Sequence, residues 1–104
     1  MKRSLIRYRT KPERSEENET LIKSVFTELR AKSPAGVRYL VLRLGDGTFV
    51  HIVMADSAES TSAITGLDAF RAFQNGIRDR TVEPPQSNDV TVVGNYRMLD
   101  ESLG

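Results

Sequence analysis

The chain has 104 residues, with 15 Lys and Arg against 14 Asp and Glu, one His, and neither Cys nor Trp. A chain of this length makes one domain of ordinary size, burying enough surface to need no metal or disulfide staple. Without Cys there is no disulfide framework, thiolate zinc site or iron–sulfur cluster. One His cannot build a multi-histidine site, and a net charge of +1 argues against a general nucleic-acid or membrane binder.

The first element is a short strand of mixed polarity, Ser4-Leu5-Ile6-Arg7-Tyr8-Arg9. Thr10-Lys11-Pro12-Glu13 then has the pattern of a capping box, with Pro12 in the first helical turn and Glu16, Glu17 and Glu19 near the positive end of the helix dipole. Leu21, Ile22, Val25, Phe26 and Leu29 recur at spacings of three and four, the stripe of an amphipathic helix. Ser33 precedes Pro34 and is pushed out of the helical region, which places the helix at about 13–32.

Val37–Leu44 and Thr48–Met54 are the clearest strands, β-branched and aromatic, with Gly45-Asp46-Gly47 between them. A two-residue turn would place His51 on the face of Leu40, Leu42 and Leu44. A three-residue loop with Gly47 left-handed instead gathers Leu40, Leu42, Leu44, Val50, Ile52 and Met54 on one face. It leaves Val37, Tyr39, Val41, Arg43, Phe49, His51 and Val53 on the other. The second register is preferred because it separates aliphatic from mixed residues, and the uniformly apolar face is expected to receive the helices.

Residues 55–65 are small and polar and read as a loop, either a connector or a cover over a site. A second helix opens at Thr65-Gly66-Leu67-Asp68, with Thr65 as cap and Leu67, Phe70, Phe73, Gln74 and Ile77 inward. Pro84-Pro85 reads as a connector, Val90–Met98 as the last strand and 99–104 as a flexible tail, so the domain spans 1–98. The order β-α-β-β-α-β predicts an α+β, ferredoxin-like fold: a four-stranded antiparallel sheet with two helices on one face. Apolar residues on both sheet faces leave one face uncovered. Either a second copy packs against it, giving a homodimer, or the 55–65 loop and the tail cover it.

With this element order, the hairpin ending His51-Ile52-Val53-Met54 and the helical run Gly66-Leu67-Asp68-Ala69-Phe70-Arg71-Ala72-Phe73, the chain resembles the dimeric α+β-barrel superfamily. Its similarity is greatest to the small antibiotic-biosynthesis-monooxygenase-like proteins. The resemblance implies two sheets packed into a barrel and often a cavity within each subunit. Some members oxidise polycyclic aromatic phenols with oxygen and no cofactor, others degrade haem, and many have no known activity. Members often carry a Trp after the third strand and a His on the second helix. This chain has no Trp, and the position matching that His is Phe73.

His51 is the candidate catalytic residue, an imidazole that titrates near neutrality; the alternative is a half-buried strand histidine bonded to a backbone carbonyl or to a second copy, since no second catalytic group is fixed by spacing. Tyr39, Arg43, Phe49 and His51 together form the expected ligand-binding set, able to hold a small aromatic or acidic molecule inside the barrel. Tyr8 and Tyr96 read as core residues with bonded hydroxyls. The first fourteen residues are locally basic, but the acids of the first helix balance them, and the aromatic RNA-binding strand motif is missing. Neither a nucleic acid nor a membrane is expected as a partner. No cofactor or metal is expected, and the location expected is the cytoplasm, since no apolar run approaches the ~20 residues of a spanning helix and Arg7 breaks any leader core. Three functions stay open: a cofactor-free monooxygenase-like enzyme, a non-catalytic dimeric module binding a metabolite or protein, and an assembly protein with a solid core.

Overall fold

The computed structural model describes residues 1–99; the expected tail at 99–104 lies almost wholly outside the described residues. Strand β1 spans Lys2–Thr10, helix α1 Ser15–Lys32, β2 Val37–Arg43 and β3 Thr48–Ala55. Three short helices follow, α2 Ala58–Thr65, α3 Asp68–Gln74 and α4 Ile77–Arg80, and then β4 Thr81–Asp89. The four strands form one antiparallel sheet in the order β2-β3-β1-β4, the ferredoxin-like arrangement expected from the element order.

The hairpin adopts the three-residue loop. Leu44 N–H donates to Thr48 O at 2.8 Å, Gly47 takes φ +87°, and Val41 pairs with His51 and Arg43 with Phe49. A side chain at Gly47 would be strained, and its Cβ would also lie 3.2 Å from Thr10 Oγ1. Thr10 holds the hairpin tip here: its N–H and its hydroxyl both donate to Gly47 O, at 2.9 and 3.0 Å. The same hydroxyl meets Ser15 Oγ at 2.7 Å, so the expected capping box does not form. A 3-10 turn at Pro12–Arg14 leads into α1 instead, without a side-chain cap.

The expected division of the hairpin is correct, but the helices cover the opposite face from the one expected. Tyr8, Phe49 and His51 are buried with Ile22, Val25 and Leu29 of α1 and Phe73 of α3, whereas Leu42 and Leu44 are more than two-fifths exposed. Strand β1 explains the reversal. Arg3 pairs with Met54 and Arg7 with Val50, so the arginines of β1 share the aliphatic face and would be desolvated beneath a helix. Ile6 and Tyr8 pair with His51 and Phe49 and join the mixed face. Large aromatic area outweighs aliphatic uniformity on that side, since its polar atoms find hydrogen bonds.

Two further expectations are corrected. Residues 58–65 are helical, with the Ser57 hydroxyl accepting from Ser60 N–H at 3.2 Å as the cap; Thr65 lies within α2, and α3 begins after Leu67 without a side-chain cap. The last strand lies at 81–89 and not at Val90–Met98. It is an edge strand, and Pro84-Pro85 sits in a bulge between the pairs Arg7–Gln86 and Arg9–Glu83, where missing N–H groups are tolerated. Residues beyond it leave the sheet, and Val93 and Tyr96 are 97% and 85% exposed.

Candidate functional site

His51 lies near the middle of β3, between the sheet and the helices, and is 3% exposed. Both of its ring nitrogens are bonded to phenols. Nε2 meets the Tyr8 hydroxyl at 2.8 Å and Nδ1 meets the Tyr39 hydroxyl at 2.7 Å. The alternation of strands produces this set, since Tyr8 on β1 and Tyr39 on β2 lie on the face of His51, on the two strands flanking β3.

The network continues beyond Tyr8. Asn18 of α1 donates from Nδ2 to the Tyr8 oxygen at 2.8 Å, and Arg80 at the end of α4 donates from Nε to Asn18 Oδ1 at 3.1 Å. Arg80 also donates to the Asn75 carbonyl at 3.0 Å and to the Phe73 carbonyl. It is 2% exposed, and its hydrogen bonds all go to neutral oxygens. The guanidinium also lies over the Phe73 ring, 5.5 Å from its centroid.

Burial dominates the electrostatics. It pushes the His51 pKa down to about 4, so the imidazole is neutral at pH 7. Burial likewise raises both tyrosine hydroxyls, opposed at Tyr8 by the hydrogen bond from Asn18 and the Arg80 charge; at Tyr39 the neighbouring Tyr8 adds to the rise. The resting network is therefore two protonated phenols bracketing a neutral imidazole.

A cavity of about 240 Å³ opens beside these groups. Tyr8, Tyr39 and His51 line it from the sheet, and Ile64, Phe70, Phe73 and Ile77 from α2, α3 and α4. Phe73, at the position matched to the second-helix His of the resembling proteins, stacks on His51 with centroids 5.4 Å apart. The volume lies below the about 300–1,000 Å³ of usual ligand pockets and suits a molecule of one or two rings.

The four expected ligand-binding residues therefore divide. Tyr39 and His51 line the cavity together, but His51 faces the helices of its own subunit and not the bare sheet face where a barrel would close. Phe49 is buried against Tyr8, the rings stacked 5.6 Å apart, and is absent from the cavity wall. Arg43 is turned away, its Nη1 bound to Glu16 and Glu19 at 2.9 Å each. Arg43 and Phe49 border instead an open groove of about 1,120 Å³ between α1 and β2. Tyr8 is the core residue expected, with its hydroxyl bonded, whereas Tyr96 is exposed beyond the sheet. Sequence reasoning missed Asn18 and Arg80. Asn18 stands one position from the acidic Glu17 and Glu19 and reads as part of a solvated face, and no spacing rule joins residues 62 apart.

No protein-family model and no curated protein sequence matches the chain. Solved structures do. A Nitrosomonas europaea protein provisionally named an antibiotic biosynthesis monooxygenase is 14% identical, with a TM-score of 0.73 over 90% of this chain and 100% of that one. A Caulobacter crescentus protein of the same provisional name is 17% identical, with a TM-score of 0.72 over 88% and 89% of the two chains. Rv0793 from Mycobacterium tuberculosis is 15% identical, with a TM-score of 0.71 over 89% and 95%. The chain has the ferredoxin-like α+β fold of these three structures, two of which bear the provisional name antibiotic biosynthesis monooxygenase. Among the described residues no helix is long and apolar enough to cross a membrane.

Proposed function

We propose that the chain is a cofactor-free monooxygenase-like enzyme acting on a small phenol held in the His51 cavity. The observation that carries this reading is a neutral imidazole bonded on both sides to phenol hydroxyls at the wall of a small, mainly apolar chamber. The names of the fold neighbours point the same way. Such a reaction converts a phenol and O₂ into a quinone and water: the substrate gives up four electrons, one oxygen atom enters the ring and the other leaves as water. No electron donor beyond the substrate is required.

In this reading His51 touches the substrate only through a tyrosine, because both ring nitrogens are already engaged. The Tyr39 hydroxyl, on the less buried side of the imidazole, exchanges the hydrogen bond with the substrate oxygen. His51 stays neutral, since its buried cation is disfavoured, and holds the Tyr39 hydroxyl in place, while the two hydrogens the substrate loses leave with the reduced oxygen atom as water. The apolar wall of Phe70, Phe73 and Ile77 orients the ring and excludes water. Oxygen uptake with 1-naphthol tests the reading: native protein consumes oxygen and forms the naphthoquinone, and His51→Ala and Tyr39→Phe lose at least about 90% of the rate. Equal rates, or none in the native protein, contradict it.

A second reading, a binding module without turnover, is favoured by the full occupation of the imidazole nitrogens. It predicts stabilisation by 1-naphthol with no oxygen consumed. In either case we propose a homodimer. Leu5, Leu40, Leu42, Val50, Ile52 and Met54 share the bare face of the sheet, and the apolar segment after Asp89 lies exposed off its edge. A second copy would cover such a surface with an isologous contact.

A further inference from the structure

We infer that Arg80 and Asn18 are positioning residues that hold His51 in the Nδ1–H tautomer and leave the Tyr39 hydroxyl as an open donor to an aromatic carbonyl compound in the cavity. The inference deepens the reading of this site and rests on it for the cavity as the binding place; a ring carbonyl is the class of that reaction's quinone product rather than of its phenol substrate.

The direction of the chain follows from its first link. A guanidinium has only donors, so the Asn18 atom facing Arg80 Nε at 3.1 Å must be the amide oxygen. The amide nitrogen then faces Tyr8, and the phenol oxygen of Tyr8 is an acceptor. The Tyr8 proton needs its own acceptor, and His51 Nε2 lies 2.8 Å away. If Tyr8 instead accepted from both Asn18 and His51, its O–H would be an orphan donor at 2% exposure, at a cost of about 1–3 kcal/mol. Tyr8 therefore donates, Nε2 accepts, and the single proton of the neutral ring lies on Nδ1. That proton goes to the Tyr39 oxygen at 2.7 Å.

Asn18 Nδ2 and the Arg80 guanidinium keep further hydrogens, but neither residue lines the cavity; the phenolic proton of Tyr39 is the network hydrogen left unpaired on a residue that does. Tyr39 is the half-buried member and lines the cavity, so a ligand oxygen there can receive this proton. Arg80, Asn18, Tyr8 and His51 thus set the Tyr39 hydroxyl as a donor, and a ring bearing a carbonyl oxygen complements it where a bare hydrocarbon does not.

The tautomer can be read directly, because the chain has a single histidine. Protonated and unprotonated imidazole nitrogens resonate far apart in ¹⁵N spectra. At pH 7 the native protein is expected to show Nδ1 protonated. Asn18→Asp replaces the donating amide with a carboxylate that accepts from both Arg80 and Tyr8, and it is expected to move the proton to Nε2. A native Nε2–H tautomer, or a folded Asn18→Asp protein with the native tautomer, overturns the assignment. Should that variant fail to fold, the native spectrum still decides. For the ligand, 1-indanone is expected to bind at least about tenfold more tightly than indane, with the preference abolished in Tyr39→Phe. Equal binding of the two, or binding of neither, overturns it. Neither measurement requires turnover, so absent oxygen uptake counts against the oxygenase reading alone, and a wrong tautomer with uptake intact counts against this inference alone.

Discussion

The two faces of the sheet are opposite in composition and opposite in fate. One carries Leu5, Leu40, Leu42, Val50, Ile52 and Met54, half-buried to exposed, with no helix over it; the other carries Tyr8, Tyr39, Phe49 and His51 and is buried beneath the helices. Aliphatic uniformity is thus a poor guide to which face a subunit buries within itself. The mixed face can be covered because Asn18 and Arg80 arrive from the helices to complete its hydrogen bonds. The bare face also holds Arg3 and Arg7, whose charges a helix of the same subunit could not solvate. The mixed face, with its polar groups bonded from both layers, suits an internal site.

The contrast can be broken most visibly at the bare face. Leu42→Glu places a charge on an exposed leucine of its β2 edge and is expected to halve the mass seen by light scattering at micromolar concentration, from twice the 11.6 kDa chain to one, with the fold retained. A native protein that is already monomeric refutes the dimer. On the buried face, Phe49→Ala removes a ring that is 1% exposed and stacked on Tyr8, at an expected cost of about 3–5 kcal/mol in denaturant unfolding.

A smaller effect comes from His51 and depends on pH. Its folded pKa of about 4 lies below the ordinary value of 6.5, so between these limits the unfolded chain binds a proton that the folded one refuses. Stability therefore rises with pH across this window, and acidification from pH 7 to below 4 removes about 3 kcal/mol through this residue. The carboxylates of Glu19 and Glu28, held down by hydrogen bonds, add their own acid sensitivity, so the His51 share is read as the difference from His51→Gln. The smallest effect is expected at Arg43, whose ion pairs with Glu16 and Glu19 lie at the surface. Arg43→Ala should barely move the denaturant midpoint, with even that shift fading in high salt, and leave 1-naphthol binding unchanged.

Local chemistry made part of this molecule legible in advance. Gly45-Asp46-Gly47 specifies the hairpin register because a left-handed residue at position 47 is available to glycine, and the α1 stripe from Leu21 to Leu29 is periodic. Features decided by distant partners were not legible. Strand β4 contains two prolines and hardly any apolar residue, and it exists because β1 offers an edge with a bulge opposite Tyr8. The run after it, with Val90, Thr91, Val92 and Val93 in series, has the stronger strand preference yet lies outside the sheet. At the site, the hairpin brings Tyr39 beside His51, and the sequence pairs them correctly. Tyr8, Asn18 and Arg80 come from three separate elements whose meeting follows only from the packed fold.

The central claim is that the buried mixed face, with His51 at its centre, is where this protein meets its ligand. The ¹⁵N signals of the single imidazole during titration of the native protein with 1-naphthol at pH 7 test it most directly. A saturable shift of the Nδ1 resonance, abolished in Tyr39→Phe, is the predicted result; an imidazole spectrum unchanged at saturating 1-naphthol would contradict it.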